Sequence, residues 1–346
     1  MQVSRGTWKV ATALVATLVA PGAVRAEEAA ADGWAAYQKF AEARSGECVG
    51  PEGTLETPLD IEVAGHRYQL LGDRLKQVDT DKDKALRIGV ISATKDDREE
   101  TLAAIASLIA QLKAKKIDLL LVNGDIASHE INVDEKLFPA LADSGVLTLV
   151  FVGNTESCGY FNQAATKVFE THRNLINGNW VRQLELEDGV VYTLPGYHDR
   201  RFVHTGGAGH YNEDDVYAMR HRVKAGPGPK IVVSHGPPMM KGPAAIDIAT
   251  GAGHVGDPQI TDILKVGKVP FGIFGHILEA GGRASDLTGA KGRKPKKWAK
   301  SLYVNAGSAN PDPWTMLNKR LSYGMALFVE VQGDKARYEV LRLPEP

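Results

Sequence analysis

Four apolar runs in this chain end on side chains of metal-binding type. LLLVNGD delivers Asp125, LTLVFVGN delivers Asn154, KIVVSH delivers His235 and FGIFGH delivers His276. One carboxylate, one amide oxygen and two imidazoles make a borderline donor set, suited to zinc, manganese or iron rather than to calcium or magnesium. Taken singly, each has an ordinary explanation: a His at a strand end is usually a hydrogen-bonded structural residue, and Gly-Asp is usually a turn. Four in one pattern point instead to a shared cation. Three of them directly follow a Gly, which lets the backbone turn sharply and approach a ligand.

Such a site requires strands that finish side by side, and the surrounding pattern supplies them. LRIGVIS, from Leu86, is a short apolar run bounded by charge. Asp97 to Lys113 follows with helical periodicity, placing Leu102, Ile105, Ile109 and Leu112 on one face, with Asp97 and Glu100 spaced as a capping box. A buried strand at Ile117 to Asn123, a helix near Asp134 to Asp143 and a strand at Val146 to Val152 continue the alternation, which implies parallel pairing with right-handed crossovers. After a helix at Phe161 to Ile176, short strands dominate: Lys230 to His235, Phe271 to His276, Leu302 to Asn305 and a closing hairpin at Gly333-Asp334. In open α/β sheets the carboxyl edge is where ligands collect, and all four candidate donors fall there.

The order of these blocks resembles the calcineurin-like metallophosphoesterase family, over roughly Leu86 to Leu343. That family's D-x-H, G-D, G-N-H-[D/E], lone His and G-H-x-H blocks are similar in turn to ISATK, NGD at Asn123 to Asp125, GNTE at Gly153 to Glu156, SHGPP at Ser234 to Pro238 and GHIL at Gly275 to Leu278. YVNAGS, Tyr303 to Ser308, resembles its closing strand and loop. The resemblance implies an α/β four-layer fold, two mixed β-sheets packed face to face and flanked by helices. It further implies a two-metal site in which Asp125 is the bridge and Asn154, His235 and His276 complete the second metal's ligands.

The first metal's own ligands do not carry over. Ala93 and Lys95 stand where the Asp and His of D-x-H belong, and Leu278 where the last His belongs. Thr155 replaces the His implied to steady the phosphate or protonate the leaving group. An ammonium at Lys95 could stand in for the missing ion, pairing with Asp125 or holding a phosphate oxygen. The expectation is therefore one divalent ion (Zn, Mn or Fe), a second metal absent, and Asp125, Lys95, Thr155 and Glu156 as the catalytic group. Glu156, His129, His254 and Glu279 are spare candidates for proton transfer. The function expected is a mononuclear phosphoester hydrolase of weakened or altered activity acting on a phosphorylated small molecule or other phosphoester; the alternative is a catalytically inactive binding protein on the same fold.

The remaining sequence sets the context. Arg5 and Lys9 precede an apolar run from Val10 to Val24 that ends in Val24-Arg25-Ala26, the pattern of a secretory signal peptide, so export to the periplasm or medium with cleavage near Ala26 is expected. The run is too short for a retained membrane anchor. Losing Arg5, Lys9 and Arg25 leaves 38 basic residues against 42 acidic ones, a net charge of −4 that disfavours nucleic acid as a partner. Nothing in the pattern fixes an oligomeric state. Cys48 and Cys158 could pair in an oxidising compartment or remain two thiols. Residues 27–84 read as an N-terminal helix with Trp34, Tyr37 and Phe40 on one face, followed by a β-hairpin, both packed on a domain spanning 85–346. Two weaker signals are a G-x-G-x-x-G match at Gly251 to Gly256, which would open a dinucleotide site only after a proper strand, and a basic run from Lys291 to Lys300 near the proposed site.

Overall fold

The computed structural model describes residues 21–50, 52–127, 131–204 and 207–345. Most of the expected leader lies outside them, as does His129. Helix α1 (Pro21–Ala43) leads into three antiparallel strands, β1 (Leu59–Val63), β2 (His66–Leu70) and β3 (Arg74–Gln77). Between β1 and β2, Ala64 and Gly65 both take positive φ, as the tight hairpin turn demands. The alternating segment follows: β4 (Leu86–Ile91), α2 (Glu99–Lys113), β5 (Leu119–Asn123), α3 (Ile131–Ala142), β6 (Leu147–Phe151), α4 (Cys158–Thr171) and β7 (Leu175–Asn177). Next come β8 (Gln183–Leu186), β9 (Gly189–Leu194), α5 (Glu213–Ala225), β10 (Lys230–Ser234), a ribbon of β11 (Ile248–Ala249) and β12 (Gly253–His254), and α6 (Pro258–Val266). The chain closes with β13 (Phe271–Phe274), β14 (Ala284–Ser285), β15 (Leu302–Asn305), a ribbon of β16 (Trp314–Thr315) and β17 (Leu321–Ser322), and the hairpin β18 (Met325–Gln332) and β19 (Lys335–Arg342).

These strands form two mixed sheets. One has the order β19-β18-β4-β5-β6-β7 and the other β1-β2-β3-β8-β9-β10-β13-β15-β14. Strands β4, β5, β6 and β7 run parallel in the first, and β9, β10, β13 and β15 run parallel in the second. The period-two alternation of side chains assigns each strand's two faces. Leu119 and Leu121 join Val233, Ile273 and Val304 in the core between the sheets. Leu120 and Val122 point the other way, against Ile105, Leu108 and Phe138 of α2 and α3. Met219, Val223, Ile260 and Ile263 of α5 and α6 cover the outer face of the larger sheet. The result is helix, sheet, sheet, helix, the four layers expected.

Helix α1 packs where its aromatic face foretells. Tyr37 and Phe40 are buried in the inter-sheet core, and Trp34 stacks on Tyr37 at 5.5 Å. The hairpin after it extends the larger sheet through parallel pairing of β3 with β8. Cys48 and Cys158 form a disulfide that ties the end of this region to the start of α4. Among the described residues, no helix is long and apolar enough to cross a membrane.

Two sequence expectations change, the α2 cap and the place of the basic run, while the weak Gly251 signal takes its ordinary form. The α2 N-cap is Arg98 and no capping box forms; Asp97 instead pairs with Lys136, while the Asp96 carboxylate accepts from Arg98 N at 3.1 Å and from Thr101 Oγ1. The Gly251 to Gly256 segment is a two-residue ribbon rather than a strand-to-helix phosphate loop, and Asp257 caps α6 through Gln259 N. The basic run starts beside β14, where Arg293 N donates to Ala284 O, and its later part leads away from the site. It bridges to Ala336 and ends in a Lys300–Asp334 ion pair before β15 begins, at the opposite edge from that strand's carboxyl end.

Candidate metal centre

The carboxyl ends of β5 and β6 in one sheet meet those of β10 and β13 in the other, and the four loops are laced together there. Ser92 Oγ donates to Asn123 O at 2.7 Å, Asn123 Nδ2 to Ser234 O at 3.1 Å, and Gly275 N to His235 O at 2.8 Å. The approach leaves no room for side chains at two positions. A Cβ on Gly124 would lie 2.5 Å from His235 Nδ1, and one on Gly153 would lie 2.5 Å from Asp125 Oδ1. Asp125 and His276 themselves adopt positive φ, 55° and 64°, a sparsely populated conformation for residues with a Cβ that tertiary contacts must hold.

The structure brings the four expected donors together. His235 Nε2 lies 3.1 Å from Asp125 Oδ1 and 3.0 Å from Asn154 Oδ1, and His276 Nδ1 lies 3.0 Å from the same Asn154 oxygen. Two of the donors are oriented from behind by hydrogen bonds. Asn154 Nδ2 donates to Phe202 O at 2.6 Å, which turns Oδ1 inward, and His235 Nδ1 faces Asn123 O at 3.1 Å, which leaves the Nε2 lone pair facing the centre. With His235 neutral and its Nδ1–H on Asn123 O, the Nε2 lone pair meets the Asn154 and Asp125 oxygens with no hydrogen between them. A cation resolves that conflict, so the residues present fit a divalent metal ion.

Charge follows the same geometry. Burial alone would raise the Asp125 carboxyl, but His235, Lys95 and His276 hold it well below the usual carboxylate range. Burial opposes a charge on His235, and Asp125 outweighs it and raises that imidazole. Burial and the neighbouring His235 push His276 down to about 3, so it remains a neutral base.

The other expected residues are placed as follows. Lys95 Nζ lies 3.1 Å from Asp125 Oδ2, the oxygen on which the donors do not converge. Thr155 Oγ1 lies 2.7 Å from Ala127 O and 3.3 Å from Asp125 Oδ1. Glu156 is buried, and its carboxylate accepts from Gly153 N at 2.8 Å and from Ile126 N and Ala127 N. It staples the Asp125 loop to the Asn154 loop, and burial together with Asp125 raises it to about 7. His254 Nδ1 is held by Asp247 at 2.9 Å, and Glu279 accepts from Thr250 N at 2.7 Å. Ala93 and Leu278 are buried apolar groups.

Sequence reading passed over Tyr197 and Phe202. Tyr197 stacks on His276 with centroids 4.0 Å apart, and Phe202 supplies the carbonyl that orients Asn154. Phe202 follows no strand directly, and although Tyr197 lies just past β9, only the fold brings either of them near the donors.

The profile of the calcineurin-like phosphoesterases matches residues 86–280, more than half of the chain. No curated protein matches the sequence. One solved structure superposes with a TM-score of 0.54 at 18% identity, over 75% of this chain and 100% of that one. The TT1561 protein of Thermus thermophilus superposes with a TM-score of 0.50 at 13% identity, covering 75% of this chain and 99% of its own. A dimetal phosphatase from Danio rerio reaches 0.46 at 11% identity, over 76% and 100%. The first two share the fold.

Proposed function

This chain belongs to the calcineurin-like phosphoesterase family, and on that premise we propose that it hydrolyses phosphate esters with one divalent ion rather than two. The observation that carries this reading is the convergence of Asp125 Oδ1, Asn154 Oδ1, His235 Nε2 and His276 Nδ1, with His235 3.1 Å from Asp125 and 3.0 Å from Asn154, and His276 3.0 Å from Asn154. Bound there, zinc, manganese or iron would supply Lewis acidity and a water of lowered pKa.

The chain's own residues set the rest. Asn123 O fixes the His235 tautomer and Phe202 O fixes the Asn154 amide, so the donors need no rearrangement to bind. Lys95 places one positive charge beside Asp125 Oδ2, a charge that a second ion would otherwise supply. A second ion there would have to displace that ammonium and would find Ala93 and Leu278 in place of ligands. The decisive assay is turnover of p-nitrophenyl phosphate and bis(p-nitrophenyl) phosphate by the purified chain with added manganese, zinc or iron. We expect metal-dependent turnover that His276→Ala abolishes; turnover with no metal, or undiminished in that variant, rejects the reading.

A second reading, a binding protein that has lost catalysis, is favoured by Thr155, whose hydroxyl contacts a backbone carbonyl and Asp125 instead of supplying an imidazole. Installing Ala93→Asp, Lys95→His, Thr155→His and Leu278→His together separates the two. A large gain in turnover supports the second reading, and no gain supports the first.

Export is proposed as well. The Cys48–Cys158 disulfide supports it, because such bonds persist in oxidising compartments. Cell fractionation with N-terminal sequencing tests it: a chain that keeps its leader in the cytoplasm rejects export.

A further inference from the structure

The segment from Tyr197 to Phe202 joins the buried centre to the surface. Phe202 is anchored on both sides: Asn154 Nδ2 donates to its carbonyl at 2.6 Å, and His204 N donates to Asn154 O at 3.1 Å. The turn before it is fixed by Asp199, whose side chain accepts from Arg201 N at 3.0 Å and also receives the Arg201 guanidinium. Phe202 is thereby held at a set distance from the metal donors.

The side chains form a continuous ladder of rings. His235 and His276 lie 5.2 Å apart, His276 and Tyr197 4.0 Å apart, and Tyr197 meets Phe202 edge-on at 6.3 Å. His235 and Tyr197 are buried, yet the last ring, Phe202, is 47% exposed. Its neighbour Arg200 is exposed and makes no ion pair among the described residues, whereas Arg201 is taken by Asp199. A half-exposed ring tied to Asn154, with the Arg201 guanidinium 5.8 Å from its centroid on one side and Arg200 close by in the chain, matches a ligand with an anionic end and a planar apolar end that stacks on the ring's remaining surface.

We infer that Phe202 is a stacking platform for a planar ring in the leaving group of the phosphoester, with Arg200 drawing in the anionic end. This inference rests on the metal centre as a phosphoester site and adds the substrate class. Aromatic pairs gain from offset or edge contact beyond the area they bury, so the platform favours aryl and nucleobase-bearing esters over aliphatic ones. Phe202 acts in specificity and takes no part in bond breaking.

The test uses the purified chain loaded with manganese and two non-hydrolysable probes, phenylphosphonate and methylphosphonate, titrated by calorimetry. Phenylphosphonate binds more tightly to the unaltered chain. Phe202→Ala weakens phenylphosphonate roughly ten-fold and leaves methylphosphonate within about two-fold, Phe202→Trp restores the preference, and Trp298→Ala, at the opposite edge, changes neither. Equal binding of the two probes by the unaltered chain, or a phenyl-to-methyl ratio unmoved by Phe202→Ala, overturns the platform while the metal-centre reading stands. Failure of the unaltered, metal-loaded chain to bind either probe overturns both.

Discussion

On the side formed by β5, β6, β10 and β13, the loops present Asp125, Asn154, His235 and His276. On the side formed by the end of β4 and the turn after β13, they present Ala93, Lys95 and Leu278. The backbone hardly distinguishes the two. Ala93 and Lys95 have φ of 52° and 68°, Asp125 and His276 of 55° and 64°, and all four are non-Gly residues in the left-handed region. Ala93 N bonds to Gly124 O and Lys95 N to Asp125 O, so the donor-poor loop is strapped to the donor-rich one. The strained conformation belongs to the closing of these loops on each other and does not depend on a metal-binding side chain being present. Chemistry at this edge can therefore be lost side chain by side chain while the scaffold stays intact.

The largest effect expected from breaking the contrast is at Asp125, which serves both sides. Asp125→Ala removes a donor and leaves Lys95 without its partner. Metal content measured by mass spectrometry should fall by at least about a hundred-fold in affinity, more than for loss of an outer partner. A chain that retains its ion in this variant would show that the donor-rich side is not the metal site.

Glu156 tests the staple beneath that side. Glu156→Gln keeps the shape but leaves one backbone N–H poorly matched, and melting should report a loss of about 1–3 kcal/mol. The same variant carries a pH signature in the metal-free chain. Folding raises this carboxyl from its ordinary 4.5 to about 7, so the folded state binds the proton more tightly and stability falls as pH rises across that window. Glu156→Gln should flatten that slope in pH-dependent melting.

Lys95 tests the donor-poor side with a smaller effect, because its side chain is 39% exposed. Lys95→Ala should not lower the metal stoichiometry of the chain, and should weaken phosphate binding roughly ten-fold, the scale of one charge-assisted contact. A drop in stoichiometry would mean that the ammonium supports the ion rather than replacing one.

How much of this was legible in the sequence differs between the two sides for a physical reason. The donor-rich side announces itself because each donor follows a continuous apolar strand, and strand ends in a parallel sheet converge. The fold's layers follow from the same periodicity, as does the aromatic face of α1. Glu156 reads as chemistry in GNTE, but its position places it under the loop where backbone N–H groups converge, and burial is not visible in residue order. The disulfide could not be decided, since Cys48 and Cys158 are 110 residues apart and their meeting depends on how α1 and α4 pack. Phe202 was missed because its link to Asn154 runs through a backbone carbonyl, which carries no residue-type signal. The basic run from Lys291 was misplaced because charge says nothing of which end of a strand a loop occupies.

The smallest effect concerns how the donor-poor loop enters α2, where the spacing favours a cap at Asp97 and the structure instead braces the helix start through Asp96, two residues before the Arg98 N-cap. Spacing favours Asp97 with Glu100, but Asp97 points to Lys136 on α3, and an exposed pair of that kind contributes little. Asp96 instead accepts from Arg98 N, Thr101 Oγ1, Asn310 Nδ2 and the Arg98 guanidinium, joining the first turn of α2 to the loop after β15. Asp96→Ala should therefore lower stability by about 1 kcal/mol, as much as a lost cap does, while Asp97→Ala should stay within roughly 0.5 kcal/mol of the parent. Because Asp96 directly follows Lys95, its loss should also loosen the ammonium from Asp125 Oδ2, weakening phosphate binding in the same direction as Lys95→Ala but by less. Equal melting shifts for the two variants would show that Asp96 braces the start of α2 no more than Asp97 does and would remove the rigid support from the donor-poor side.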